Sequence, residues 1–274
     1  MLTSRGCVTA LACVCLGAVA GCGSGGNGHP ANTSGSGGAS SSAAQSSSAS
    51  SQGEASKSAK QILADAAGAL KNAHGYVLQG TLTDQGRQIQ LKIVAASAKS
   101  LELELSGGGA NAELIALPNA DYVRANAAFW QPRVGQRAAA IANRWIQIPP
   151  AGAAGMTASL GRFAPATLAR CLAEDHGSIS VAGKTTVDGR PAVVLKDAGN
   201  APGAAPGTLA VAASGPPYPL RASATAGQRA GGRVDVCNDG KASDTHGTLT
   251  LSHFGSAPSI KAPQHAIKSG QTSA

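Results

Sequence analysis

The chain is poor in aromatic rings, with three Phe, three Tyr and two Trp making up 3% of its 274 residues. A groove that stacks single-stranded nucleic acid needs several rings along a basic track. Here the 22 Lys and Arg are scattered, so the formal charge of +8 implies solubility and mild attraction to an anionic membrane surface, with no nucleic-acid partner. Catalytic signatures are also missing: the sequence has no G-x-S-x-G, no H-E-x-x-H and no phosphate loop. Gly21-Cys22-Gly23-Ser24-Gly25-Gly26 spells a G-x-G-x-x-G, but no strand precedes it and no helix follows. The six histidines are dispersed. Asp175-His176 and Asp244-Thr245-His246 could each join a base to a carboxylate, yet neither has a nucleophile motif nearby. Glu102 and Glu104 read as the wet face of a strand, and His253 as a rim residue sharing parity with Leu249 and Leu251. The chain is expected not to be an enzyme and to need no cofactor or metal.

What the sequence does contain begins at Cys22, which closes Val19-Ala20-Gly21-Cys22, the pattern of a bacterial lipobox. Before it stand a short n-region with Arg5 and an apolar stretch from Val8 to Ala20, the parts of a secretory signal. That stretch is shorter than the roughly 20 apolar residues a spanning helix needs. Residues 1–21 are therefore expected to be a lipoprotein signal peptide. Cleavage would leave Cys22 as the acylated N-terminus, carrying a diacylglycerol anchor and a further chain such as palmitate. Two or three acyl chains hold a protein stably at a membrane where one is marginal. This predicts an extracytoplasmic protein, lipid-anchored to the cell membrane.

Residues 22–57 are rich in Gly, Ser, Ala, Asn and Gln, a composition that cannot bury enough apolar surface to fold. As a flexible coil of about 35 residues, this tether reaches roughly 30–35 Å. Residues 58–263 form the expected single domain, and 264–274 a flexible tail. With Cys7, Cys13 and Cys15 in the leader and Cys22 acylated, Cys171 and Cys237 remain as an isolated pair. In an exported protein such a pair reads as one disulfide. A metal site or a reactive thiol is the alternative, but no Cys-x-x-Cys occurs.

Within the domain, Ser58-Ala59-Lys60-Gln61 is a capping box, followed by Ile62, Leu63, Ala66, Ala67, Leu70 and Ala73 at helical spacing. The helix should run from Ala59 to Asn72 and stop at His74-Gly75. The period then changes to two. Ile89, Leu91 and Ile93 alternate with polar residues, and Leu101, Leu103 and Leu105 with Glu102 and Glu104, which argues for antiparallel strands with one dry face. Further strands are expected at 113–117, 122–125, 144–148, 179–187, 191–196, 208–213, 219–225, 233–237 and 248–254. Helices are expected at 133–143 and, divided by Pro165, at 156–174. Asp188-Gly189 marks a tight hairpin. The Ala-rich dry faces of the strands near 208–213 and 221–226 imply close packing against helices with little cavity. The fold class is α+β.

This arrangement resembles the LolA-like lipoprotein family of actinobacteria, the LppX/LprG-type lipid carriers. The resembling pieces are the lipobox, the tether, the helix from Ile62 to Ala73 and the hairpin Thr186-Val187-Asp188-Gly189-Arg190-Pro191-Ala192-Val193-Val194-Leu195. To these are added Gly215-Pro216-Pro217-Tyr218-Pro219-Leu220-Arg221, Tyr122-Val123, Phe129-Trp130 and Arg144-Trp145-Ile146-Gln147-Ile148-Pro149. The resemblance implies a large curved antiparallel half-barrel sheet wrapped around a few helices, with acyl chains held between them. The expected function is binding of an acyl lipid or glycolipid, as a monomer, in envelope lipid transport. Leu91, Ile93, Leu103, Leu105 and Leu251 are candidate ligand contacts, although the same residues suit an ordinary aliphatic core. The competing reading is a structural or protein-interaction lipoprotein of the envelope with a solid core.

Overall fold

The computed structural model describes residues 53–149, 160–174 and 176–269. The leader, Cys22, almost all of the tether, the start of the central helical stretch at 156–159 and Asp175 lie outside the described residues. Ser58 opens helix α1 (Ala59–Lys71) with both halves of its capping box. Its side chain accepts from the Gln61 N–H, and the Gln61 side chain accepts from the Ser58 N–H at 3.0 Å. Lys57 bridges Glu54 and Asp65 at 2.7 Å each, fixing the chain's entry into the helix. Ile62, Leu63, Ala66, Ala67 and Leu70 form the buried stripe that the spacing predicted.

Twelve strands follow among the described residues: β1 (Tyr76–Asp84), β2 (Arg87–Ser97), β3 (Ser100–Gly107), β4 (Ala110–Leu117), β5 (Ala120–Ala125), β6 (Ile146–Ile148), β7 (Ile179–Val187), β8 (Arg190–Asp197), β9 (Gly207–Ala212), β10 (Pro219–Ala224), β11 (His246–Ser252) and β12 (Ile267–Lys268). They form one unclosed sheet in the order β12-β6-β5-β4-β3-β2-β1-β11-β10-β9-β8-β7. Every pairing is antiparallel except β12 with β6, which is parallel, so the sheet is mixed at that edge. Asp188 and Gly189 both have positive φ, 48° and 78°, the geometry of the expected hairpin turn.

Alternation divides the sheet into two faces. Leu78, Ile93, Leu103, Leu114, Val123 and Ile146 stand directly opposite one another on six neighbouring strands. All are buried, together with Leu70 of α1, Trp130 of α2 (Ala127–Val134) and Ala138 of α3 (Ala138–Ile141). On the other half of the sheet Ile62, Leu63 and Ala66 pack against Val193, Leu195, Leu209 and Val211. The helices thus lie on one face. On the opposite face, Ile115, Ala120 and Tyr122 are covered by Ile260 and Ala266 of the C-terminal stretch.

The two halves meet where β1 pairs with β11. An added Cβ on Gly80 would lie 2.0 Å from the Thr248 carbonyl oxygen, and one on Gly247, whose φ is 145°, 2.3 Å from that of Thr81. Only glycine allows backbones this close.

Several sequence expectations change in detail. The helix expected at 133–143 starts earlier, because Asn126 accepts the Phe129 N–H at 3.0 Å and caps α2. It breaks at Gly135, where φ is 59°, before α3 begins. Residues 233–237 form no strand. Gly231-Gly232 and Asn238-Asp239-Gly240 turn the chain on both sides, and buried Asn238 donates to the Gly231 carbonyl and accepts from the Gly240 N–H. Ile267–Lys268, in the stretch expected to be a tail, adds to the sheet as β12.

Candidate functional site

The Leu-to-Ala change on the inner face shapes a cleft. Leu195 on β8 faces Leu209 on β9, but the next residue in the row is Ala222 on β10, and one row along Gly207 faces Ala224. Side-chain volume falls away there, leaving an apolar cleft of about 230 Å³. Its walls are Leu63 of α1, Leu172 of α4 (Pro165–Glu174) and Ile179 of β7, with Ala222, Ala224 and Gly207 as its floor. No side chain can be built at Gly207, since its Cβ would meet the Ser223 carbonyl oxygen at 2.2 Å. The Ala-rich strands expected to pack tightly are thus where the space opens. The sequence signal was this fall in side-chain size, and register was needed to turn it into a cavity.

His176 and Asp197 stand at the rim. The Asp197 carboxylate accepts from the N–H groups of Gly177 and Gly199, at 3.0 and 2.8 Å. His176 Nδ1 lies 2.8 Å from the Gly177 carbonyl. Both side chains serve the local backbone. Of the other carboxylate–histidine combination, Asp244 accepts the Gln85 N–H, while Thr245 donates to Asp84 at 2.6 Å, which ties β11 to the β1–β2 hairpin.

The α4 wall is held at two points. Cys171 on α4 is bonded to Cys237 in the 225–245 loop, with Cα atoms 5.3 Å apart. Arg170 beside it reaches Asp235 at 3.5 Å. The Cys237 N–H donates to the Asp235 carboxylate and, with Arg170 and the Asn238 N–H, holds it below the usual carboxylate range. Ahead of α4, the Tyr76 hydroxyl donates to the Phe163 carbonyl at 2.5 Å, and burial pushes that phenol up.

The five residues predicted as ligand contacts lie together on the inner face, on the other half of the sheet from the cleft. Leu91, Ile93, Leu103 and Leu251 are buried within one cluster, and half-buried Leu105 packs on it. Glu102 and Glu104 lie on the outer face as expected. Glu102 titrates above the usual carboxylate range because it is partly buried and faces the Glu113 and Glu104 charges. Among the described residues no helix is long and apolar enough to cross a membrane.

No protein-family model matches the chain, and no curated protein matches it. Solved structures similar to it include the lipoprotein LppX of Mycobacterium tuberculosis, 12% identical over 73% of this chain and 98% of that one, with a TM-score of 0.44. LprF of Mycobacterium bovis is 14% identical over 75% of this chain and 96% of that one, also at 0.44. A LolA superfamily protein of Nitrosomonas europaea is 10% identical over 75% of this chain and 96% of that one, at 0.28. The architecture of the described residues, an unclosed sheet with helices on one face, rests on their own strand pairings and core packing.

Proposed function

We propose that this protein is a lipid-anchored lipoprotein, held through Cys22 at the extracytoplasmic face of the membrane, that binds an acyl chain of a lipid or glycolipid for movement within the envelope. The apolar cleft between α1, α4 and the small-residue face of β9 and β10 carries this reading. Each methylene buried there is worth about 0.8 kcal/mol, so an aliphatic slot can hold a chain without specific polar contacts. At about 230 Å³ the cleft lies below the roughly 300–1,000 Å³ of drug-sized sites. It fits a segment of one chain, with the lipid's polar end at the His176 and Asp197 rim. The leucine row at 91, 93, 103, 105 and 251 serves as core behind α2 and α3. No catalytic step is assigned to the protein. The exposed large apolar side chains, Val181 on β7 and Val234 in the 225–245 loop, stand on separate elements and form no broad docking patch among the described residues.

Native mass spectrometry of the full-length protein, purified in detergent and paired with lipid extraction, tests the reading. Co-purification of an acyl species at one per chain, displaced by added fatty acid, is the expected result. A ligand-free mass after exposure to excess acyl lipid would overturn it.

A further inference from the structure

The outer face of the sheet carries a second and chemically different feature. It is a trough of about 710 Å³ that crosses β1 to β5 at right angles to the strands. Two cross-strand rows form its sides. In one row, Lys92, Glu104, Glu113 and Arg124 face each other in turn. Lys92 pairs with Glu104 at 2.6 Å and Arg124 pairs with Glu113, so the row is neutral and its charges are spent on one another.

The other row has no charge at all. Thr81, Gln90, Ser106 and Asn111 stand in direct register, and beyond β1 the row continues through Thr248 and Ser223. The side chains of Thr81, Gln90, Ser106 and Asn111 hydrogen-bond to no described residue, while Thr248 and Ser223 bond to each other at 2.9 Å. Each amide or hydroxyl both donates and accepts, and successive members repeat at the strand spacing of about 4.8 Å.

We infer that this trough is a binding site for an extended, uncharged glycan chain lying across the strands. A sugar hydroxyl also donates and accepts on one group, matching the amides and hydroxyls of the row. The repeat along the row is close to the length one pyranose residue adds to an extended chain. Other ligand classes fit less well. An acyl chain would strip water from unpaired amides, at a cost of about 1–3 kcal/mol for each left unsatisfied. A nucleic acid or an acidic peptide needs free cations, and both cations here are already paired. The site lies on the face opposite the apolar cleft, so it takes a ligand independently of the proposed lipid.

Titration calorimetry of the full-length protein in detergent, with neutral hexasaccharides of glucose, N-acetylglucosamine and mannose as probes, tests the inference. At least one should bind with a Kd below about 1 mM, with little change between low and high salt. Gln90→Leu and Asn111→Leu should each weaken binding about fivefold or more, the loss of one or two hydrogen bonds, while circular dichroism and Tm stay unchanged. Ala224→Phe in the apolar cleft should leave glycan affinity as it was. Three results would overturn the inference: no binding by any neutral hexasaccharide, equal affinity in the row variants, or binding abolished by salt.

Discussion

Leu172 lines the apolar cleft one residue after Cys171, whose sulfur is bonded to Cys237. One turn of α4 therefore carries both a cross-link and a wall of the site. The bridge closes a loop across a sequence separation of 66, for which the chain-entropy model gives about 4 kcal/mol. The double variant Cys171→Ser/Cys237→Ser should lose up to that amount in urea unfolding and bind acyl ligand less tightly through a looser α4. Peptide mapping of unreduced protein should recover the two cysteines in one linked fragment, and two unlinked fragments would refute the pairing.

Filling the cleft should remove lipid without removing the fold. Ala224→Leu places an isobutyl group on the cleft floor, and displacing about two ligand methylenes costs roughly 1.6 kcal/mol. Affinity for a fluorescent fatty acid should fall about tenfold or more, with Tm nearly unchanged. Unaltered affinity would move the ligand elsewhere.

Asp235 links folding to acidity. The Cys237 N–H, then Arg170, the Asn238 N–H and Arg233, favour its charged form in the folded protein. A carboxyl depressed on folding stabilises the protein above its unfolded value, near pH 4, and loses that contribution as the pH falls further. Urea midpoints of the native protein should therefore drop on acidification below about pH 4. Asp235→Asn should be less stable at neutral pH and show a shallower acid limb. Parallel limbs for the two proteins would remove Asp235 from the linkage.

Two glycines should respond to the same substitution with opposite signs. At Gly80 a Cβ would strike the Thr248 backbone, whereas at Gly68 in α1 nothing lies within 4 Å. Gly80→Ala should destabilise by about 3 kcal/mol or more, among the larger single-residue effects. Gly68→Ala should stabilise by about 0.5–1 kcal/mol through helix propensity. Chemical denaturation at one pH reads both.

Local chemistry was legible in the sequence where it acts alone. The Ser58–Gln61 box, the alternation through Ile89, Leu91 and Ile93, and the Asp188-Gly189 turn each name their own conformation. Position in space was not. That Ala222 follows Leu209 in one row depends on register between strands, and no local pattern states it. The same holds for the uncharged outer row, whose members come from six strands. The start of α2 is set by the Asn126 side chain accepting the Phe129 N–H, ahead of the helix expected at 133–143. Ile267–Lys268 is too short to carry a period and takes its conformation from β6.

The strand order also determines when the molecule can become complete. Tyr76–Asp84 waits for His246–Ser252, and Ile146–Ile148 waits for Ile267–Lys268. Pairings this far apart in sequence make for slow folding, because long loops must close before any contact rewards them. A chain emerging N-terminus first can finish hairpins as it appears, but not the seam at Gly80 and Gly247. Until β11 arrives, β1 presents an unpaired edge able to recruit strands from other molecules. The interval between emergence and closure is therefore when this protein most needs a chaperone.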